Sequence, residues 1–221
     1  MNIASYIDHT LLKPTATGKD IEGLCEEAVR FGFAAVCVPP YYIKKARKLL
    51  QNTPVKTATV IGFPFGYSDI SAKAQEINRG ILDGADELDM VICIAALKNG
   101  DWDYLEREIA AVMPLIGKKN RLIKVIIESG ILSDEQIIRC CELYARYQVQ
   151  FLKTSTGYAE RGATVEAVRL MREHLPPDIR IKASGGIRTF AFADELIRAG
   201  ASRLGCSAGV QIVEQASKTR A

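Results

Sequence analysis

A chain of 221 residues, 48% hydrophobic and 25% charged, with a formal net charge of +3, has the make-up of a soluble protein of one large or two small domains. Its 29 basic and 26 acidic residues are interspersed, so no basic arm marks a nucleic-acid surface, and no apolar run nears the roughly 20 residues of a membrane span. The N-terminus lacks a basic region followed by an apolar core, and the six cysteines show no CxxC spacing; a cytoplasmic protein with reduced thiols is expected.

From end to end, short strand-like apolar runs alternate with longer helical periodicities. Residues 7–12 read as the first strand. On it Asp8 is ambiguous, facing the interior or capping a turn, and His9, on the opposite parity, reads as a packing residue. A helix over 18–31 stops at Gly32, and 33–38 form the second strand. Pro39-Pro40 starts a helix over 41–51. The third strand, 57–62, runs into a turn at Phe63-Pro64-Phe65-Gly66. A helix over 69–83, capped at Ser68-Asp69, ends at Gly84 before the fourth strand, 87–91. The next helix covers 102–116, with Trp102 as a packing residue at its start. Strand 122–128, helix 133–146 and strand 150–153 follow. Helix 163–174, strand 179–183, helix 189–199, strand 203–206 and a helix over 208–216 complete the chain.

Eight strands, each followed by a helix and uninterrupted by a linker, predict an α/β fold: a single (β/α)8 TIM barrel spanning 1–221. A doubly wound open sheet is the competing architecture, but its Gly-rich first turn is missing. In such a barrel the outward strand positions face helices and are apolar. Leu88 and Met90, Ile123 and Val125, and Ile179 and Ile181 suit that face. The alternation then turns Glu87, Asp89, Lys124, Arg180 and Lys182 into the lumen, together with Lys153. So many buried charges cost several kcal/mol each unless they form a paired network. Some of them, Arg180 above all, can instead reach the rim as ordinary ion pairs.

Lys153 and Lys182 close adjacent strands, and Asp89 joins them from the fourth. An amine at a buried strand end is pushed toward its neutral form by desolvation and by a second cation, which suits attack on a carbonyl. By spacing alone either lysine can be the nucleophile. The carboxylate suits general acid–base work, directly or through water. A second constellation is a phosphate cradle, built by Gly185-Gly186 after the seventh strand and by Gly205-Cys206-Ser207-Ala208-Gly209 at the last helix. The segment Thr154-Ser155-Thr156-Gly157 offers further hydroxyl and backbone donors. The only histidines, His9 and His174, are far apart, so a zinc site built on several histidines is not expected.

With these residues assembled, the chain closely resembles the deoxyribose-phosphate aldolase family. The likeness runs from Ile7-Asp8-His9-Thr10-Leu11-Leu12 to the Gly205–Gly209 segment. Its most specific pieces are Glu87-Leu88-Asp89-Met90-Val91, Phe151-Leu152-Lys153-Thr154-Ser155-Thr156-Gly157 and Lys182-Ala183-Ser184-Gly185-Gly186-Ile187-Arg188. The resemblance implies that Lys153 forms the Schiff base and that Asp89 and Lys182 transfer protons. It also implies that Gly185, Gly186, Gly205 and Ser207 bind phosphate; from the residue pattern, Gly157 is expected to join them, and Asp8 and Lys124 to support the lumen network. The implied reaction is reversible cleavage of 2-deoxy-D-ribose 5-phosphate into acetaldehyde and D-glyceraldehyde 3-phosphate, without metal or organic cofactor. The chain departs from an Ile-Asn-Ile-Gly pattern common in the family: Ile92-Cys93-Ile94-Ala95 stands there. Other Schiff-base phosphosugar aldolases, a transaldolase-like barrel, and a barrel that only binds phosphosugars are the alternatives. The expected partner is a small phosphosugar, with no nucleic acid and no membrane, and homo-oligomer formation is left open.

Overall fold

Eight parallel strands pair in chain order, and β1 closes the ring by pairing with both β2 and β8. The computed structural model describes residues 2–219. Its strands are β1 (Ile7–Thr10), β2 (Ala35–Val38), β3 (Lys56–Ile61), β4 (Glu87–Val91), β5 (Leu122–Ile126), β6 (Phe151–Lys153), β7 (Arg180–Ser184) and β8 (Ala201–Cys206). The helices are α1 (Gly18–Phe31), α2 (Ile43–Leu50), α3 (Ile70–Asp83), α4 (Ile94–Lys98), α5 (Trp102–Lys118), α6 (Asp134–Arg146), α7 (Val165–His174), α8 (Phe190–Arg198) and α9 (Gly209–Thr219). This is the (β/α)8 barrel that the sequence predicts. No described helix is long and apolar enough to cross a membrane.

Local chemistry sets the element ends. Thr17 with Asp20, and Ser133 with Gln136, form capping boxes at the starts of α1 and α6, satisfying amides that have no partner within the helix. Gly32 and Gly84 end α1 and α3 in the left-handed region, at φ 70° and 106°, which costs least without a Cβ. Two details differ from expectation. Pro40–Tyr42 form a 3-10 turn ahead of α2, and the short α4 follows β4, where the sequence pattern suggests only a connection.

Strand alternation builds two shells. Leu88, Met90, Ile123, Val125, Leu152 and Ile181 face outward into one continuous core with the helices. Inside, Ala35, Cys37, Ala58 and Val60 of β2 and β3 form a separate small cluster. These compact side chains leave lumen space for the long charged ones entering from β4 to β8. The β7–β8 register carries an irregularity: Ile181 pairs with Ala201, but Lys182 pairs with Arg203. A shift of this kind re-aims side chains, and here it sets Arg203 beside Lys182.

Arg180 does not join that interior group. It is exposed, and its guanidinium stacks 4.1 Å from the centroid of the buried Phe151 ring. Phe151 fills the lumen at that level, so the long arginine stem carries its charge out to water.

Candidate active site

Asp89 is the hub of the lumen network. Its Oδ2 accepts hydrogen bonds from Lys153 Nζ and Lys182 Nζ, each at 2.7 Å, and its Oδ1 accepts one from Lys124 Nζ at 2.8 Å. Lys182 also donates to Asp8, and Asp8 Oδ1 accepts from Arg203 Nε at 2.7 Å. Glu87 Oε2 completes the set, 2.6 Å from Lys124 Nζ and 3.0 Å from Arg203 Nη2. Asp8, Asp89, Lys124 and Lys182 are entirely inaccessible, whereas Lys153 keeps 3% exposure. Of the three lysines, only Lys153 presents surface to a ligand.

Charge balance singles out the same residue. Asp8, Glu87 and Asp89 face Lys124, Lys153, Lys182 and Arg203, so the fully ionised set carries one cation in excess. An uncompensated buried charge is costly enough that the group neutralises instead. Burial drives the Lys153 pKa down; Asp89 pulls it back up, Lys182 pushes it down again, and the outcome lies below the ordinary lysine value. For Lys182 burial also lowers the pKa, but Asp8 and Asp89 outweigh it and keep the group cationic. Lys124 is raised too, because Asp89, Glu87 and Asp8 together overcome burial and the Lys182 charge. Burial opposes ionisation of Asp89 and Asp8, yet the surrounding cations hold both carboxyls below the usual range. Spacing leaves the choice between the lysines open; of the three lumen lysines, Lys153 touches a single carboxylate and is the one whose pKa is lowered. Cys37, also in the lumen, is no rival nucleophile, since burial and then Asp89 push its thiol up to about 11.

Beside this network lies a cavity of about 470 Å³, lined by Gly157, Gly185, Gly186, Gly205 and Ser207, and by Thr10 to Pro14 from the loop after β1. Ser207 stands at its edge, two residues before α9, where a helix amino terminus favours an anion. Two cations that the sequence reading passes over, Lys13 and Arg188, line the same cavity. The signal was present in the quoted segment ending at Arg188, but a lone surface arginine has no distinguishing pattern. Gly205 has a second reason to lack a side chain. A Cβ there would sit 2.9 Å from Lys182 Cε, so glycine also makes room for the lysine.

The hydroxyl run after Lys153 behaves differently from expectation. Thr154 Oγ1 is 3.3 Å from the Ser184 carbonyl oxygen and 3.1 Å from the Ser184 N–H, Ser155 Oγ is 3.1 Å from Thr154 Oγ1, and Thr156 donates to Glu128. These side chains brace the loop, and Thr156 and Gly157 line the cavity. Asp8 resolves as a network member, and His9 points outward to Glu27 at 2.7 Å and packs on Phe33. Arg203 was missed by the sequence reading, although outward Leu204 and Cys206 imply by alternation that Arg203 and Gly205 face in. Ile94 and Ala95, in the segment that departs from the family pattern, line a second, largely apolar cavity of about 470 Å³ with Phe65, Tyr67, Ile131 and Tyr158.

A closed parallel barrel whose carboxyl-terminal mouth joins buried lysines, a shared carboxylate and a glycine-lined cavity fits one class: the aldolase barrels. The model of the DeoC/LacD family aldolases matches residues 2–215, and the chain belongs to that family. It is 51% identical over 218 residues to a deoxyribose-phosphate aldolase of Thermococcus gammatolerans, covering 98% of this chain and 97% of the relative. It is 50% identical over 216 residues to that of Thermococcus kodakarensis, with 97% and 96% covered. Among solved structures it superposes with a TM-score of 0.91 on the tetrameric deoxyribose phosphate aldolase from Aeropyrum pernix, at 31% identity, covering 98% of this chain and 92% of that one.

Proposed function

We propose that the chain, acting as one catalytic domain over 1–221, reversibly cleaves 2-deoxy-D-ribose 5-phosphate into D-glyceraldehyde 3-phosphate and acetaldehyde through a Schiff base on Lys153. The observation that supports this reading is the lumen charge count, in which four basic groups face three carboxylates and burial lowers the pKa of Lys153, the one lumen lysine with exposed surface. The names of the relatives support the substrate. The reaction belongs to the breakdown of deoxyribose phosphate. The six buried cysteines, all free thiols, support a reducing, cytoplasmic setting, and the tetramer named for the Aeropyrum pernix relative supports a homo-oligomer.

In this mechanism the phosphate rests among Gly157, Gly185, Gly186, Gly205 and Ser207, with Lys13 and Arg188 adding positive charge. Lys153 Nζ attacks the C1 aldehyde of the open-chain sugar, and loss of water gives the iminium. Removal of the C3 hydroxyl proton forms the C3 carbonyl and breaks the C2–C3 bond. That electron pair moves into the enamine and neutralises the nitrogen, so the iminium itself serves as the electron sink. Protonation at C2 and hydrolysis then release acetaldehyde and restore the amine. Asp89 Oδ2 contacts both amines, which suits it to pass protons between Lys153, Lys182 and a water. Because Asp89 is held anionic and Lys182 cationic, the pair relays a proton better than it stores one.

Reduction with borohydride in the presence of acetaldehyde, followed by peptide mapping, tests the assignment. An ethyl group on Lys153 is the expected product; no adduct, or one confined to Lys182, overturns it. The anion pocket is tested separately by Ser207→Asp, which sets a carboxylate against the substrate phosphate. Like charges brought together in a binding site cost several kcal/mol, so KM for the phosphorylated sugar rises at least about tenfold. Unphosphorylated 2-deoxyribose, measured in parallel, is turned over at the parent rate; an equal loss on both sugars contradicts the phosphate assignment.

A further inference from the structure

Glu128 makes no hydrogen bond or ion pair with the lumen network, yet it is almost fully buried, at 3% exposure. It follows β5 in the left-handed region at φ 57°, a conformation that few residues other than glycine adopt without cost. Its carboxylate accepts from the Thr156 N–H at 3.2 and 3.3 Å and from the Thr156 hydroxyl. The Thr156 oxygen in turn accepts from the Tyr158 N–H at 3.0 Å. The Tyr158 hydroxyl donates to the Leu12 carbonyl oxygen at 2.9 Å. One chain of hydrogen bonds thus runs from the end of β5, through the loop that begins after Lys153, to the loop after β1. Thr156 and Tyr158 line both the anion cavity and the apolar cavity, so this chain forms the partition between them.

Both donors of Thr156 are committed to Glu128, which leaves Gly157 to address the ligand. Among the described residues the Gly157 N–H meets no protein acceptor, and Gly157 adopts φ 89°. We propose that Glu128 is a positioning residue for phosphate recognition, holding Thr156 so that the Gly157 backbone stays turned to the anion cavity. The inference rests on the reading of that cavity as the phosphate site. What Thr156 requires is an acceptor: burial raises the Glu128 carboxyl above its ordinary value, and the Thr156 hydrogen bonds and a cationic Lys153 act against that rise.

The test compares Glu128→Leu, Glu128→Gln and Thr156→Val with the parent, using 2-deoxyribose 5-phosphate and unphosphorylated 2-deoxyribose. Losing a preorganised hydrogen-bonded contact raises KM for the phosphorylated sugar about tenfold in Glu128→Leu, while kcat and turnover of the unphosphorylated sugar stay within about twofold. Glu128→Gln keeps a carbonyl acceptor and returns KM to within about twofold of the parent. Thr156→Val shows the same selective rise as Glu128→Leu, and it carries the test if the leucine variant does not fold. Equal losses on both sugars, an unchanged KM, or a glutamine variant as impaired as the leucine one each overturn the proposal. If the parent itself forms no reducible adduct with acetaldehyde, the aldolase reading fails; a reactive parent whose variants show no such split sinks only the role of Glu128.

Discussion

Replacing Lys153 with arginine abolishes turnover, by a factor on the order of 10⁴ to 10⁶, and eliminates the reducible acetaldehyde adduct. Guanidinium remains protonated at any accessible pH and cannot condense to an iminium. The more discriminating measurement is stability. Arginine fixes a cation where burial lowers the lysine pKa, setting four basic groups against Asp8, Glu87 and Asp89. Methionine, similar in length and neutral, preserves the balance. Lys153→Met is therefore as inactive as Lys153→Arg but melts near the parent, whereas the arginine variant loses several kcal/mol, the scale of an unpaired buried charge. Equal melting temperatures for the two variants contradict a neutral resting Lys153, and residual aldolase turnover in either removes it as the nucleophile.

The lumen of β4, β5 and β7 was legible because its outward positions are uniformly apolar. Against Leu88 and Met90, or Ile123 and Val125, an intervening carboxylate or lysine stands out at once. The same alternation assigns a face but not a height. Arg180 has the inward parity of Lys182, yet two residues of strand, roughly 6.6 Å, put it at the other rim over Phe151. Alternation with Leu204 and Cys206 gives Arg203 its inward face, but its place beside Lys182 comes from the register irregularity, which follows from pairing and has no sequence pattern of its own. The choice between Lys153 and Lys182 depends on how many carboxylates each one touches, a count that exists only once distant strands close into a ring. Glu128 looked like the last residue of an ordinary strand, and its left-handed backbone has no marker in a glutamate. The run Thr154 to Thr156 has the composition of a ligand-binding loop; geometry turns its hydroxyls into braces.

Opposite pH shifts are expected from removing the two partners of Lys153. Attack on an aldehyde requires the neutral amine, so adduct formation with acetaldehyde, trapped by cyanoborohydride, rises with pH through the Lys153 pKa. Asp89 raises that pKa and Lys182 lowers it. In Asp89→Asn the lumen keeps only Asp8 and Glu87 against Lys124, Lys182 and Arg203, so protonating Lys153 becomes harder and the half-rise moves to lower pH. Its sugar turnover nevertheless falls by about 10² to 10⁴, the usual contribution of a positioned proton-transfer group. In Lys182→Met three carboxylates face Lys124 and Arg203 alone, so the balance is restored when Lys153 takes up a proton. The half-rise then moves to higher pH, and the amine that the reaction needs becomes scarce at neutrality. The variant also loses about 3–5 kcal/mol of stability, because Asp8 and Asp89 are left underpaired in the core. Shifts in the same direction, or none in either variant, would mean that the reactivity of Lys153 is set by something other than the charges it touches.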